Sequence, residues 1–260
     1  MQADAREVPM KRLAIFAYGI LCYAVFFATF LYAIAFVGDL PGVPRTIDGA
    51  PRMASLPALL IDLVLLALFA VQHSLMARPA FKALWTRIIP AAAERSTYVL
   101  FSSLALILLF RFWQPLGGQV WSIHSTVGQV LMYAGFAFGW ALVLYSTFLI
   151  NHFDLFGLRQ VWLHLRGQAY RPLAFKTPAA YRLVRHPLYV GWFFAIWCTP
   201  QMSMTHMLFA LVTAAYILTA IRFEEHDLLA AHPEYADYRR RVPMLLPRLR
   251  TPAEPLDEAI

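Results

Sequence analysis

Six apolar runs divide the chain: Leu13–Val37, Leu56–Met76, Thr97–Trp113, Thr126–Ile150, Leu188–Met202 and His206–Ile221. A helix rises 1.5 Å per residue and a bilayer's hydrocarbon core is about 30 Å thick, so the first four are long enough to cross alone. The fifth and sixth are shorter and separated only by residues around Ser203 and Met204. They predict a tight helical hairpin that tilts or crosses only in part. Polar loops punctuate the first four runs, whereas charged and aromatic residues crowd the last third of the chain. The fold expected is an all-α integral membrane protein of about six apolar helical segments, the last two forming a hairpin, followed by a short amphipathic helix.

Composition points the same way. The chain is 60% hydrophobic and 14% charged, with a mean hydropathy of +0.56, which excludes a soluble domain with a polar surface. The first run is too long for a cleaved signal peptide and no small-residue cleavage site follows it, so it is expected to be retained. Cys22 and Cys198 both lie in apolar runs, which argues for buried thiols and against a disulfide framework or a metal site on sulfur. No internal repeat is present, which counts against an inverted-repeat transporter.

Charge supplies orientation. With six crossings, all but Arg45, Arg52 and Arg111 of the 22 lysines and arginines fall on one side, and the positive-inside rule makes that side cytoplasmic. Both termini are then cytoplasmic and the protein is multi-pass in the cell membrane. The net charge of +7 serves topology and contact with anionic lipid. No basic and aromatic interleaving on a soluble domain suggests nucleic acid, and no protein partner is expected.

Two stretches of the last third carry candidate chemistry. In RHPLYVGW (Arg185 to Trp192), Pro187 suits the first turn of a helix and pushes His186 to an extended conformation at the cap. Arg185 and His186 then face the boundary, with Tyr189 and Trp192 on one helical face below it. Alone, the octet also reads as an interfacial anchor. In IRFEEHDLLAAHPEYADYRRRVP (Ile221 to Pro243), Glu224 and Glu225 emerge from an apolar helix and demand a cationic partner. Arg222 and Arg185 are within reach, so a structural network of ion pairs is one reading and a ligand site the other. A short helix restarts at His232-Pro233, placing Tyr235 and Tyr238 on one face. It is an amphipathic lid, or a membrane-surface helix with Arg239 to Arg241 on lipid phosphates.

Taken in order, RHPxYxG, a hairpin, EExxL and YxxYxxxVP resemble the C-terminal signature of the isoprenylcysteine carboxyl methyltransferase-like superfamily of membrane methyltransferases. The match runs from Arg185 to about Pro247, and one departure, HPE before Tyr235 where the family often has glycine, concerns the entry of the last helix. Upstream, QHSLMARPAFK (Gln72 to Lys82) and NHFDLFGLRQ (Asn151 to Gln160) resemble the branch that contains bacterial methanethiol S-methyltransferases, with NnrU-like proteins and nurim further off.

The resemblance implies S-adenosyl-L-methionine as methyl donor, bordered by Arg185, His186, Pro187, Tyr189, Glu224, Glu225, Tyr235 and Tyr238. These residues offer the aromatic faces, the acceptors and the base that a sulfonium, an ammonium and a carboxylate require. The 12 glycines contain no G-x-G-x-x-G, so a soluble Rossmann-type site is not available. Residues 1–260 then form one methyltransferase domain: 1–184 with the substrate side, 185–247 with the cofactor motifs, and 248–260 a tail.

A small apolar thiol as acceptor implies a base, because a thiol attacks far better as thiolate. His73, beside Gln72 and Ser74, is the foremost candidate; the other reading is a satisfied core histidine. His152 and Asp154 form a carboxylate and imidazole neighbourhood, or a helix terminus capped by Asn151 and Asp154 and stopped at Gly157. Tyr181 and Arg182 are further pocket candidates. The reaction implied is conversion of methanethiol to dimethyl sulfide. The alternatives are a methyltransferase of the same fold acting on a prenylcysteine carboxylate or a lipid headgroup, and a non-enzymatic NnrU- or nurim-like protein that binds haem through His73 and His152.

Overall fold

A computed structural model describes residues 7–247. Arg6, Arg248, Arg250 and the expected tail 248–260 lie outside the described residues. The chain runs α1 (Glu7–Val37), α2 (Ser55–Ala77), α3 (Pro79–Trp85), α4 (Glu94–Phe112), β1 (Gln119–Ser122), α5 (Thr126–Ile150), α6 (His152–Leu155), α7 (Leu158–Leu165), α8 (Pro187–Trp197), β2 (Gln201–Ser203), α9 (Met204–Ala231) and α10 (Tyr235–Arg241). Within α1, α2, α4 (with the 3₁₀ turn before it), α5 and α9 lie five segments of 22 to 29 residues that are long and apolar enough to cross a membrane. Their outer surfaces carry exposed leucine, valine and phenylalanine, as lipid-facing helices do. The protein is an all-α, multi-pass membrane protein.

The fifth run corrects the expected hairpin. Helix α8 ends at Trp197, and the chain continues extended through β2, which pairs antiparallel with β1. The partner strand comes from about 80 residues earlier, a nonlocal pairing that no local pattern announces. The sixth run is also longer than expected: α9 begins at Met204 and carries Glu224 and Glu225 inside the helix, since their charges are paired there. Eleven residues of α8 give about 16 Å, and from Met204 to Glu225 α9 rises about 32 Å. His186 meets Glu225 at the far end from the ribbon.

A close backbone approach holds α8 in place. A Cβ on Gly139 of α5 would lie 2.4 Å from the Ala195 amide nitrogen, and one on Gly191 of α8 would lie 2.7 Å from the Gly139 carbonyl oxygen. Only glycine permits this contact, which is how apolar helices associate where lipid offers no hydrophobic drive. The glycine of RHPLYVGW is thus a packing residue.

The close-packed core sits at the ribbon end, where Phe36, Leu109, Trp113, Trp140, Ile196 and Phe209 come together from five helices. There the Trp113 indole donates to the Ile47 carbonyl (3.0 Å), and Asp62 accepts the Gln114 amide (2.9 Å). Asp62 is therefore a cap for the chain leaving α4. The opposite, basic end holds the polar chemistry.

Candidate active site

The C-terminal motifs converge at the basic end. His186 is the N-cap residue of α8, with Pro187 at the first helical position, and its backbone N–H reaches Met244. Glu225 is buried, accepts from Arg185 Nε at 2.7 Å and His186 Nε2 at 3.0 Å, and forms an ion pair with Arg239 Nε at 3.2 Å. Arg185 Nη1 is engaged as well, donating to the carbonyls of Val242 (2.6 Å) and Arg239 (3.1 Å). Arg185 and Glu225 thus weld α8, α9 and α10 into one block. A buried pair of this kind is costly unless every hydrogen bond is satisfied, and here the geometry satisfies them.

Glu224 behaves differently. It is exposed, accepts the Tyr189 hydroxyl at 3.1 Å, and stands 3.8 Å from His186 Nδ1. Glu224 and Tyr189 remain accessible to a ligand, whereas Glu225 does not. Tyr235 and Tyr238 are buried against Phe175, and the Tyr238 hydroxyl donates to the Tyr181 carbonyl at 2.6 Å. The Tyr235 hydroxyl lies beside Glu225. Burial, then the charge of Glu224, pushes the Tyr181 phenol above its ordinary value.

The first upstream stretch reaches this block from the other side. His73, one turn from the end of α2, has the Ser102 hydroxyl 3.1 Å from Nδ1 and the Tyr98 hydroxyl 2.9 Å from Nε2. Ser102 donates its own proton to the Tyr98 carbonyl at 3.0 Å, so it accepts from His73 Nδ1–H and fixes that tautomer. Nε2 then accepts from the Tyr98 hydroxyl, which stands within reach of both ring nitrogens, 2.9 Å from Nε2 and 3.1 Å from Nδ1. The neighbouring Ser74 hydroxyl bonds Tyr216 of α9 at 3.1 Å, and the buried Gln72 carbonyl oxygen has no partner. The Ser74–Tyr216 bond is thus a direct link between the His73 stretch and α9. Arg78 pins the same region by an ion pair to Asp227 of α9 at 2.9 Å.

His152 and Asp154 belong to a different cluster. His152 is 3% exposed, with Nδ1 2.8 Å from the Thr147 hydroxyl and Nε2 2.8 Å from the Tyr23 hydroxyl. Both ring nitrogens are engaged, which leaves neither for a haem iron. Asp154 holds Arg159 at 2.7 Å, and its backbone N–H is capped by Asn151 at 3.0 Å. Gly157, at φ 88°, separates α6 from α7, and a Cβ there would meet Ser96 at 2.6 Å.

Sequence reasoning passed over Tyr98, Ser102 and Tyr216. The first two stand one turn apart on one face of α4, and polar residues so spaced in an apolar run were the available signal.

The arrangement places an imidazole, tyrosine rings and an accessible carboxylate at the basic end. The chain is 55% identical to a methanethiol S-methyltransferase of Crocosphaera subtropica over 92% of its own length and 93% of the relative's. It is 51% identical to one of Mycobacterium tuberculosis over 92% of its length and 98% of that protein. It is also 35% identical to nurim of Rattus norvegicus over 66% of the chain and 69% of nurim. No family model matches the chain, and no solved structure does. Those identities, over nearly the whole length of proteins that share one name, make this chain a membrane-embedded methyltransferase of the methanethiol S-methyltransferase family.

Proposed function

We propose that the protein methylates methanethiol to dimethyl sulfide with S-adenosyl-L-methionine as donor, and that His73 takes the thiol proton. The carrying observation is the surroundings of His73: the Ser102 hydroxyl is placed to accept from Nδ1–H, and Nε2 faces the Tyr98 hydroxyl, a contact that a thiol S–H would take over. The names of the relatives supply the acceptor.

The residues present suit the cofactor. Tyr189 and His186 offer aromatic faces and Glu224 a carboxylate for cationic groups. When bound, the cofactor supplies an electrophilic methyl group on a sulfonium. The chain does the rest. Arg185 and Glu225 hold the ends of α8 and α9 at a fixed separation, and Glu224 and Tyr189 orient the cation. The apolar helices exclude water from the thiol, which enters from the lipid side. His73 Nε2 accepts the S–H proton as sulfur attacks, so the nucleophile gains thiolate character only at the moment of reaction; such a base contributes about 10² to 10⁴ in rate. On the positive-inside rule, the basic end and both termini face the cytoplasm, and the membrane is the cell membrane.

The test is headspace gas chromatography of purified protein with S-adenosyl-L-methionine and methanethiol. Dimethyl sulfide from the wild type and its loss in His73→Ala, with cofactor affinity retained, is the expected result. A wild type that binds cofactor and yields no dimethyl sulfide overturns the acceptor.

A further inference from the structure

We infer that a cleft of about 430 Å³ at the basic end, lined by Lys82, Glu94, Arg95, Gln160 and Tyr170 among others, receives the α-amino-acid end of the cofactor. The inference rests on the cofactor reading above. Both upstream stretches that carry the branch resemblance end here: Gln72–Lys82 brings Lys82 on α3, and Asn151–Gln160 brings Gln160 on α7. The base His73 accounts for the first part of one stretch and nothing so far accounts for the two ends.

Gln160 is 8% exposed. Its amide Nε2 donates to the Asp154 carbonyl at 3.1 Å, which sets the orientation, since a flipped amide would oppose two oxygens. Oε1 is thereby left without a partner in a site it lines, and needs a donor. The cations are equally unmatched. Arg78, Arg159, Arg185 and Arg239 are each held by a carboxylate, whereas neither Lys82 nor Arg95 forms an ion pair among the described residues. Burial, then the charge of Arg95, lowers the Lys82 ammonium from its ordinary value, a strain that a bound carboxylate relieves.

Two cations, one carboxylate and one orphan acceptor are the complement of an amino-acid zwitterion. The ligand carboxylate goes to Lys82 and Arg95, and its ammonium to Glu94 and Gln160 Oε1. A simple phosphate would leave Glu94 opposed and Gln160 unmatched. The position also suits the reaction, because the Arg95 guanidinium lies 5.8 Å over the Tyr98 ring, whose hydroxyl touches His73. Within the C-terminal motifs, Arg185 has no such freedom, being tied through Nε and Nη1.

Calorimetric titration of the detergent-solubilised protein decides, with S-adenosylhomocysteine and with 5′-methylthioadenosine, which keeps the adenosine and thioether and lacks the amino-acid end. The wild type is expected to bind S-adenosylhomocysteine about 10-fold tighter or more. Lys82→Met and Arg95→Met each weaken S-adenosylhomocysteine about 10-fold and leave 5′-methylthioadenosine within about 2-fold; Glu94→Gln does the same to a smaller degree. Excess free methionine, the head group alone, competes with S-adenosylhomocysteine only. The inference is overturned if the wild type binds both ligands equally, if all three variants weaken both alike, or if methionine binds together with S-adenosylhomocysteine, which marks a separate amino-acid site. A wild type that binds neither nucleoside ligand sinks the cofactor reading instead.

Discussion

His73 and His152 both lie near the basic end, each with hydroxyls on its two ring nitrogens and a phenylalanine stacked against it. They differ in what those hydroxyls are free to do. Thr147 passes its proton to the Leu144 carbonyl, so it accepts from His152 Nδ1–H, and Tyr23 donates to Nε2 across from α1. The result is a closed pin between helices, stacked 4.3 Å from Phe148. His73 has the same tautomer, but its partners share one helix, its neighbour Gln72 has an orphan oxygen, and the tyrosines beyond it belong to the cofactor-motif block. Neither burial nor the hydroxyls on the ring nitrogens separates the two histidines; the proposal for His73 rests on the residues beyond those hydroxyls.

The largest effect that would break this contrast is expected at His73. His73→Ala should lower kcat about 10² to 10⁴-fold, the usual contribution of a general base, with S-adenosylhomocysteine affinity unchanged by calorimetry. A loss of under 10-fold would remove His73 from the reaction and reopen the choice among His152, Asp154 and Tyr181.

Next is the ion-paired block that joins α8, α9 and α10. Glu225→Ala leaves Arg185 and Arg239 without their carboxylate in a largely buried site, a change that costs about 3–5 kcal/mol. Thermal denaturation followed by intrinsic fluorescence should show a large fall in Tm, together with loss of cofactor binding. Glu224→Ala, at an exposed carboxylate, should leave Tm nearly unchanged while weakening the cofactor.

A smaller effect is expected at His152. His152→Phe keeps the stacking and leaves the Tyr23 hydroxyl without its acceptor, for a loss of about 1–3 kcal/mol in stability. Turnover per folded molecule should stay within about 2-fold of wild type. Its titration gives a second signature. Burial lowers the His152 pKa below its ordinary 6.5, so the unfolded chain binds the proton more readily. The stability contributed is fully present above 6.5 and is lost as pH falls through 6.5 toward the folded value. Tm of the wild type should therefore drop on going from about pH 7.5 to about 5, and the drop should shrink in His152→Phe.

How far the sequence announced these regions follows from which constraints are local. Bilayer thickness acts on each run separately, so the long helices could be read one at a time. The exit from α8 could not, because β2 is an extended segment only through its pairing with β1. The Arg185, His186 and Glu225 contacts were legible because charges placed in apolar helices must find one another. Tyr98 and Ser102 lie in a run with no motif, and their meaning depends on α2 packing beside α4. Lys82 and Gln160 closed the quoted stretches, yet nothing local says that α3 and α7 share a cleft.

The finest probe of the contrast is Ser102. Ser102→Ala removes the acceptor that holds His73 Nδ1–H and leaves the imidazole free to exchange tautomers. A neutral hydrogen bond of this kind contributes about 0.5–1.5 kcal/mol, so kcat should fall about 3 to 10-fold with KM for methanethiol unchanged. Ser102→Thr, which restores the hydroxyl, should recover most of the loss, whereas a merely packing role would be rescued by Cys as well. If Ser102→Ala costs as much as His73→Ala, the serine is itself needed at the reacting atoms. If it costs nothing, Tyr98 alone fixes the ring, and Tyr98→Phe should then show the larger loss.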